Sequence, residues 1–486
     1  MKKIMLFLAT LMLTFALVSC GGGGDDTPGN GGGGETKDIV LTYAAWNLGS
    51  ADSDTPNMER LMLDEFEKAH PGIKVEVVER PKVPGTDGDQ AWNEFLGAKA
   101  SVGQLPDVFM ADNIPYYVIN DWAYNLATIA NADNEYKNIS TDITGAATYE
   151  GKVMAVPSAV HYMGYVVNKS LYENKNLDAP TVESTMEEVL NLTKQAADHG
   201  STTQQGVVGF EGIEHILHWY PAQLNEDYGW FTFDGEKFNL NSSEFQKAVE
   251  LYRELKQSPD YVLEALQYVS DQEGSNVVLE QIFPNLDYFN SNAILCKWFY
   301  TYDFGWMQQK IDSGEYYWDL DFIGTPVVNG VKKVPSVIDF LTVAKTSEHP
   351  AEAYELAKWM GFGKDGYLKR IELSEEVEGI SLVNFAPIQN DADLMDKYFD
   401  IYPSFTGLRS IIEAGNFVVE PPKFQVGYDK VRYNGNYNED NKMGDIINQL
   451  MGGEVLIADI KDALNGRANA IYAAEYQTFY EELQKR

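Results

Sequence analysis

The residues of this chain best able to do chemistry are flat aromatic rings set beside short hydrogen-bonding side chains. Trp46-Asn47, Asp112-Asn113, Glu211 ahead of Trp219, and Trp298 with Tyr300 are such sets. An aromatic face packs against apolar ring surface, while carboxylates, amides and indole N–H groups bond hydroxyls. That chemistry captures a small molecule rather than converting it. Asp339 adds to the set because it interrupts the apolar run Val337-Ile338-Asp339-Phe340-Leu341. An acid inside a buried strand is costly without a partner, and a ligand hydroxyl or a buried helix N-terminus would serve. Each aromatic also has two readings, since aromatic rings dominate cores as well as sites. About half of the set is expected to face a cleft.

Motifs of covalent and phosphoryl chemistry are absent from the sequence. It has no Gly-x-Ser-x-Gly elbow, no Gly-rich phosphate loop ending in Lys-Ser or Lys-Thr, and no His-Glu-x-x-His. Among the 6 His, only His215 and His218 stand close, at helical i, i+3 spacing. No third ligand is marked nearby, so a packed or solvated helix face is expected there, with no metal and no cofactor. The competing class is a secreted lipoprotein glycoside hydrolase, which needs two carboxylates across a cleft. The 73 Asp and Glu supply pairs by chance, and none sits in a catalytic motif.

The elements that must position these residues are legible in the first third. Ile39 to Ala45 reads as a strand. Thr55-Pro56 reads as an N-cap with Pro at the first helical position, and Met58, Leu61, Met62 and Phe66 then share one helical face. His70-Pro71-Gly72 stops that helix, and Ile73, Val75 and Val77 alternate as a second strand. Trp92, Phe95 and Leu96 mark another helix, and Pro106 to Met110 a third strand. Strands alternating with helices predict a parallel sheet with right-handed crossovers. Ligands bind such sheets beyond the carboxyl ends of the strands, where Trp46-Asn47 and Asp112-Asn113 fall. Further on, Tyr149 to Val153 reads as a hairpin and Val160 to Asn168 as extended. Glu187–Ala197, Ser243–Leu255 and Pro350–Met360 read as helices, and Phe322–Pro326 and Val334–Ala344 as strands. Asp445 to Leu464 reads as a helix broken at Gly452-Gly453.

The N-terminus carries an address. Lys2 and Lys3 precede an apolar run from Ile4 to Leu17, too short to span a bilayer, that ends in Leu17-Val18-Ser19-Cys20. Those four residues resemble a bacterial lipobox, which implies a signal peptide over 1–19 and lipidation of Cys20. Residues 20–36 are Gly-rich, with Asp25, Asp26, Thr27 and Pro28 between two runs of Gly, and read as a flexible tether. The remaining stretch of about 450 residues is too long for one compact core and predicts two lobes or more. The net charge of −36, or −38 once Lys2 and Lys3 are removed, argues against nucleic acid. It also disfavours electrostatic adhesion to anionic lipid, so a lipid would do the anchoring. With Cys20 lipidated, Cys296 has no partner and reads as a small buried residue.

Several stretches in order carry a resemblance. They are Leu63 to Val75, Leu105 to Phe109, Tyr149 to Pro157 followed by Gly164 to Tyr172, and Thr346 to Ala353. Over most of its length the chain resembles the extracellular solute-binding proteins of bacterial ABC importers, the group with maltodextrin- and oligosaccharide-binding lipoproteins. The resemblance implies an α/β, two-lobed periplasmic-binding-protein-like (type II) fold with a ligand cleft between the lobes. Lobe 1 would span 37–155 with 335–388, and lobe 2 would span 156–334 with 389–486. It implies a monomer, held at the outer face of the cell membrane by lipid, that delivers a carbohydrate of oligosaccharide type to permease subunits. A non-sugar solute is the alternative ligand. The ligand-binding set expected on this basis is Trp46, Asn47, Asp112, Asn113, Tyr162, Tyr165, Glu211, Trp219, Trp298, Tyr300 and Asp339, with no catalytic residue.

Overall fold

The computed structural model describes residues 38–49, 55–86, 88–200, 205–272 and 277–486. The expected signal peptide (1–19), Cys20 and the Gly-rich tether (20–36) lie outside the described residues.

Alternating apolar residues make β1 (Ile39–Ala44) and β2 (Ile73–Val77), which pair in parallel, with the helix Met58–Ala69 as their crossover. That helix buries Met62, Leu63 and Phe66. Its cap is Asn57, not Thr55: the Asn57 carboxamide accepts the Arg60 N–H at 3.1 Å. Pro56 therefore leads into the cap instead of opening the first turn. β3 (Val108–Ala111) joins β1 on its other side, again in parallel, after the helix Trp92–Ser101. Asp107 binds this corner together. Its Oδ2 accepts the Thr42 N–H (2.8 Å) and hydroxyl (2.7 Å), and its Oδ1 accepts the Ser347 hydroxyl (2.6 Å).

The parallel pattern ends there, and the sheet is mixed. A short hairpin, β4 (Thr148–Tyr149) and β5 (Lys152–Val153), turns through Glu150 and Gly151, both at positive φ. β6 (Val156–Asn168), β7 (Val208–Glu211), β8 (Ile294–Tyr300), β9 (Leu320–Gly324), β10 (Val334–Val343) and β11 (Phe417–Val419) follow. The order is β2-β1-β3-β10-β6-β8-β7, with β11 on β10 and β9 on β6. β10 lies antiparallel to β3 and β6 because the chain returns to the sheet from the far side. Sequence alternation carries no information about such a long return.

β6 is the axis of this arrangement, and all 13 of its residues are buried. Up to Tyr162 it pairs with β10; from Met163 onward it pairs with β8, and from Tyr165 with β9 as well. One strand thus links the β10 side of the sheet to the β8 and β9 side. Just past the change of partner, Gly164 crosses Gly324 so closely that a Cβ on Gly164 would lie 2.5 Å from the Gly324 backbone. Gly324 itself sits at φ +63°. At the C-terminus the predicted break is found: the helix Met443–Gly452 ends on left-handed Gly453, and a second helix runs from Ile457 to Leu483, well past the predicted end.

Gly164→Ala is expected to destabilise the fold by about 1–3 kcal/mol, because the opposing atoms are backbone and cannot rotate away. Chemical denaturation measures this; a loss under 0.5 kcal/mol, the size of a neutral surface change, would contradict the close crossing.

Candidate functional site

The site is built around a register fault. Between β10 and β6 the pairing steps from Asp339 opposite Ala159 to Phe340 opposite Pro157, so Ser158 is an extra residue. A bulge of this kind re-aims side chains at a strand's face. Ser158, His161 and Asp339 all line one cavity of about 420 Å³, together with Tyr43, Trp46 and Asn47 from the carboxyl end of β1. Tyr302, Phe385, Lys423 and the Glu59–Arg370 pair complete the wall.

The cavity's charges are paired. Lys423 Nζ donates to Asp339 Oδ1 and, at 3.3 Å, to the Ile338 carbonyl. His161 Nε2 lies 3.6 Å from Asp339 Oδ2. Burial alone would raise the Asp339 carboxyl; the His161 contact and the Lys423 ammonium overcome it and hold the group well below the usual carboxylate range. Arg370 is buried and grips Glu59 with two bonds, at 2.6 and 3.2 Å, while its guanidinium stands 5.3 Å over Phe385. Two polar atoms stay unpaired. The Ser158 hydroxyl and His161 Nδ1 are buried without a hydrogen-bond partner among the described residues. Orphaned polar groups on a cavity wall are sites for ligand hydroxyls or water.

Aromatic faces frame the opening. Trp46 is half-buried and stands edge-on to Trp92 at 5.4 Å. Tyr302 is 43% exposed, meets His161 edge-on at 5.3 Å and stacks on Tyr300 at 4.8 Å and 11°. Beyond them Glu420, directly after β11, is half-buried. Its N–H donates to the Ser336 carbonyl at 2.8 Å, and its side chain faces Lys423 and His215. Burial raises the Glu420 carboxyl, and these two cationic or ionisable neighbours only partly offset it. Burial, followed by the charge of Glu420, pushes the Tyr300 phenol up to about 12.

Of the residues expected from the sequence, Trp46, Asn47 and Asp339 line the cavity, and Tyr300 backs the ring of Tyr302 that does. The structure places the others away from it. Asn113 caps the helix Ile114–Ile119 by accepting the Tyr116 N–H. Asp112 accepts from the Tyr117 hydroxyl and from Asn93 Nδ2 at 2.9 Å, and burial raises its carboxyl. Glu211 pairs with Lys297 across β7 and β8. Tyr162 packs against Phe417, Tyr165 and Trp219 are fully buried, and Trp298 stacks on His215 at 4.4 Å. Tyr162, Tyr165 and Trp298 went to the core because β6 and β8 are covered on both faces, and Trp219 because it sits on the buried side of the helix Ile216–Leu224. His215 and His218 form no metal pair: His218 is buried against Trp230 and accepts from Arg432 Nε at 3.2 Å. Among the described residues no cluster of His, Cys, Asp and Glu is arranged to hold a metal.

Sequence reading missed Ser158, His161, Tyr302, Lys423 and Glu420. The first two were within reach: they are polar interruptions of the apolar run from Ala155 to Val167, the signal that picked out Asp339. Lys423 and Glu420 carry no local signal, since their partners lie far away in sequence.

Asp339→Asn removes the charge that holds Lys423 and should cost about 1.5–3 kcal/mol. A depressed folded pKa contributes stability that is present above the unfolded carboxylate value, about 3.9, and lost as pH falls toward the folded value. The wild type should therefore lose stability below about pH 4, and Asp339→Asn should show a shallower acid limb in melts from pH 7 to 2. Identical acid limbs would mean the carboxylate is not held by these partners.

Comparison with known proteins adds the family. The bacterial extracellular solute-binding protein family matches residues 51–362. No curated protein matches the chain. Solved structures with the same fold include an ABC substrate-binding protein from Listeria monocytogenes in complex with cycloalternan, at 17% identity and TM-score 0.60, covering 90% of this chain and 99% of that one. A sugar transporter from Rhizobium etli in an open conformation aligns at 14% identity and TM-score 0.64, covering 89% and 99%. The sugar-binding protein MalE from Xanthomonas citri aligns at 15% identity and TM-score 0.63, covering 91% and 100%.

Proposed function

The chain belongs to the bacterial extracellular solute-binding proteins, and from that premise we propose that it captures a carbohydrate, of oligosaccharide type, in the cavity beside Asp339 and delivers it to the membrane subunits of an ABC importer. The observation that carries this reading is the wall of that cavity. It combines aromatic faces, Trp46 and Tyr302, with buried polar atoms that lack partners, on Ser158 and His161. Such a surface suits a sugar ring and its hydroxyls. The sugar-bound and sugar-binding proteins that share the fold support the same ligand class.

In this reading the protein binds and performs no chemistry. Lobe 1 (37–155 with 335–388) and lobe 2 (156–334 with 389–486) would close on the ligand, with β6 opening lobe 2 and β10 returning the chain to lobe 1. Closure would be favoured only by the difference in affinity between the open and closed clefts. The lipobox-like Leu17-Val18-Ser19-Cys20 supports export and a lipid on Cys20, with the Gly-rich segment as its tether. No helix among the described residues is long and apolar enough to cross a membrane.

A thermal-shift screen of the full chain in detergent against mono- and oligosaccharides tests the proposal. A ligand at a hundred times its Kd adds about 2.7 kcal/mol of stability, enough for a visible rise in Tm. A rise with one sugar class and no turnover of it is expected; consumption of the sugar would point to the hydrolase instead. Trp46→Ala should weaken the binding found at least about tenfold, as loss of a stacking face does. Calorimetry on the folded variant reads this, and unchanged affinity would place Trp46 outside the contact.

A further inference from the structure

We propose that the sugar taken by this cleft carries a protonated amine, and that Glu420 is the group that binds it; this inference rests on the carbohydrate reading of the same site. The charges that line the cavity are already matched, whereas Glu420, which is not itself among the lining residues, neighbours Tyr302 of its wall. Asp339 is taken by Lys423 and faced by His161, and Glu59 is taken by Arg370. Glu420 has no direct partner: the nearby Lys423 ammonium is bonded to Asp339 and only partly offsets the burial of Glu420. Its carboxylate has neither a hydrogen bond nor an ion pair among the described residues, although it is half-buried. A half-buried carboxylate without a donor is an unfavourable arrangement that an incoming cation relieves.

The neighbourhood selects the kind of cation. Glu420 shares its surroundings with the stacked rings of Tyr300 and Tyr302, and Tyr302 continues into the cavity wall. An aromatic face beside a carboxylate attracts an organic ammonium, which gains from the ring as well as from the charge. A metal ion does not fit, because no three ligating side chains converge among the described residues. Independent of Glu420, the orphaned Ser158 hydroxyl and His161 Nδ1, both more than nine-tenths buried, line the same cavity. They call for hydroxyl partners. Hydroxyls for Ser158 and His161, a ring face for Tyr302 and an ammonium for Glu420 together describe an amino sugar with its nitrogen free. An N-acetyl group would cancel the charge and enlarge the substituent, and a neutral sugar would leave Glu420 without its cation.

Isothermal titration of the full chain in detergent tests this with matched probes. Glucosamine, galactosamine and the β-1,4 disaccharide of glucosamine are each compared with the parent hydroxyl sugar and the N-acetyl derivative. At least one amine-bearing probe should bind about tenfold or more tightly than both of its isosteres, the range of a charge-assisted bond. Glu420→Gln should erase that ratio while leaving the weaker neutral binding in place. If that variant does not fold, the wild-type ratio decides alone. A neutral or N-acetylated probe that binds as tightly as its amine counterpart, or a ratio unaltered in the variant, overturns the role of the amine and leaves sugar capture standing. Failure of every sugar, charged or neutral, overturns both readings.

Discussion

The site depends on keeping one ionised carboxylate, Asp339, inside a strand whose neighbours are apolar. Taking that charge out of water is costly, and the structure offsets it with an ammonium and an imidazole brought from elsewhere. Lys423 comes from the segment after β11 and His161 from β6, so three separate pieces of chain meet at one oxygen pair. The same meeting fixes the cavity floor. The bulge at Ser158 turns a second polar group toward the space that Asp339 opens, and its hydroxyl is left free there. The floor of the cavity is thus held by pairings between distant segments of the chain.

The frame carrying this floor is a pair of long strands rather than a flexible linker. β10 joins β3 to β6, β6 carries the sheet on to β8 and β9, and the Gly164–Gly324 crossing lies just past the point where β6 changes partners. Two backbones packed without a Cβ between them leave no side chain to lock the crossing angle. Hinges are a few positions that absorb the change in backbone angle while packed bodies on each side stay rigid. In the proposed closure, the glycine just past the change of partner on β6 would be the position that absorbs such a motion.

Aromatic rings are divided between two tasks by burial. Tyr165, Trp219 and Phe210 pack the interior behind β6 and β8, whereas Trp46 and Tyr302 keep a face toward solvent. Each exposed ring rests on a neighbouring ring, Tyr302 on Tyr300 and Trp46 on Trp92, while Trp298 packs on His215 and Tyr165. These contacts orient Trp46 edge-on and Tyr302 face-on to their neighbours. Rigid aromatic faces lose little entropy on meeting a ligand, which favours binding over a floppy surface of equal area.

The sequence by itself determined the alternation of strands and helices through β3, the break at Gly452-Gly453, the family likeness, and the prominence of Trp46, Asn47 and Asp339. These follow from local rules: alternation along a half-covered strand, turn residues, and an acid breaking an apolar run. What the tertiary structure alone decided was which remaining residues meet. Tyr165 and Trp298 lie in strands covered on both faces, where no alternation marks the side a ring takes. Lys423 reaches Asp339 across 84 residues and Arg370 reaches Glu59 across 311. Pairings at that separation are set by how the strands order themselves, and no window of local sequence contains both partners.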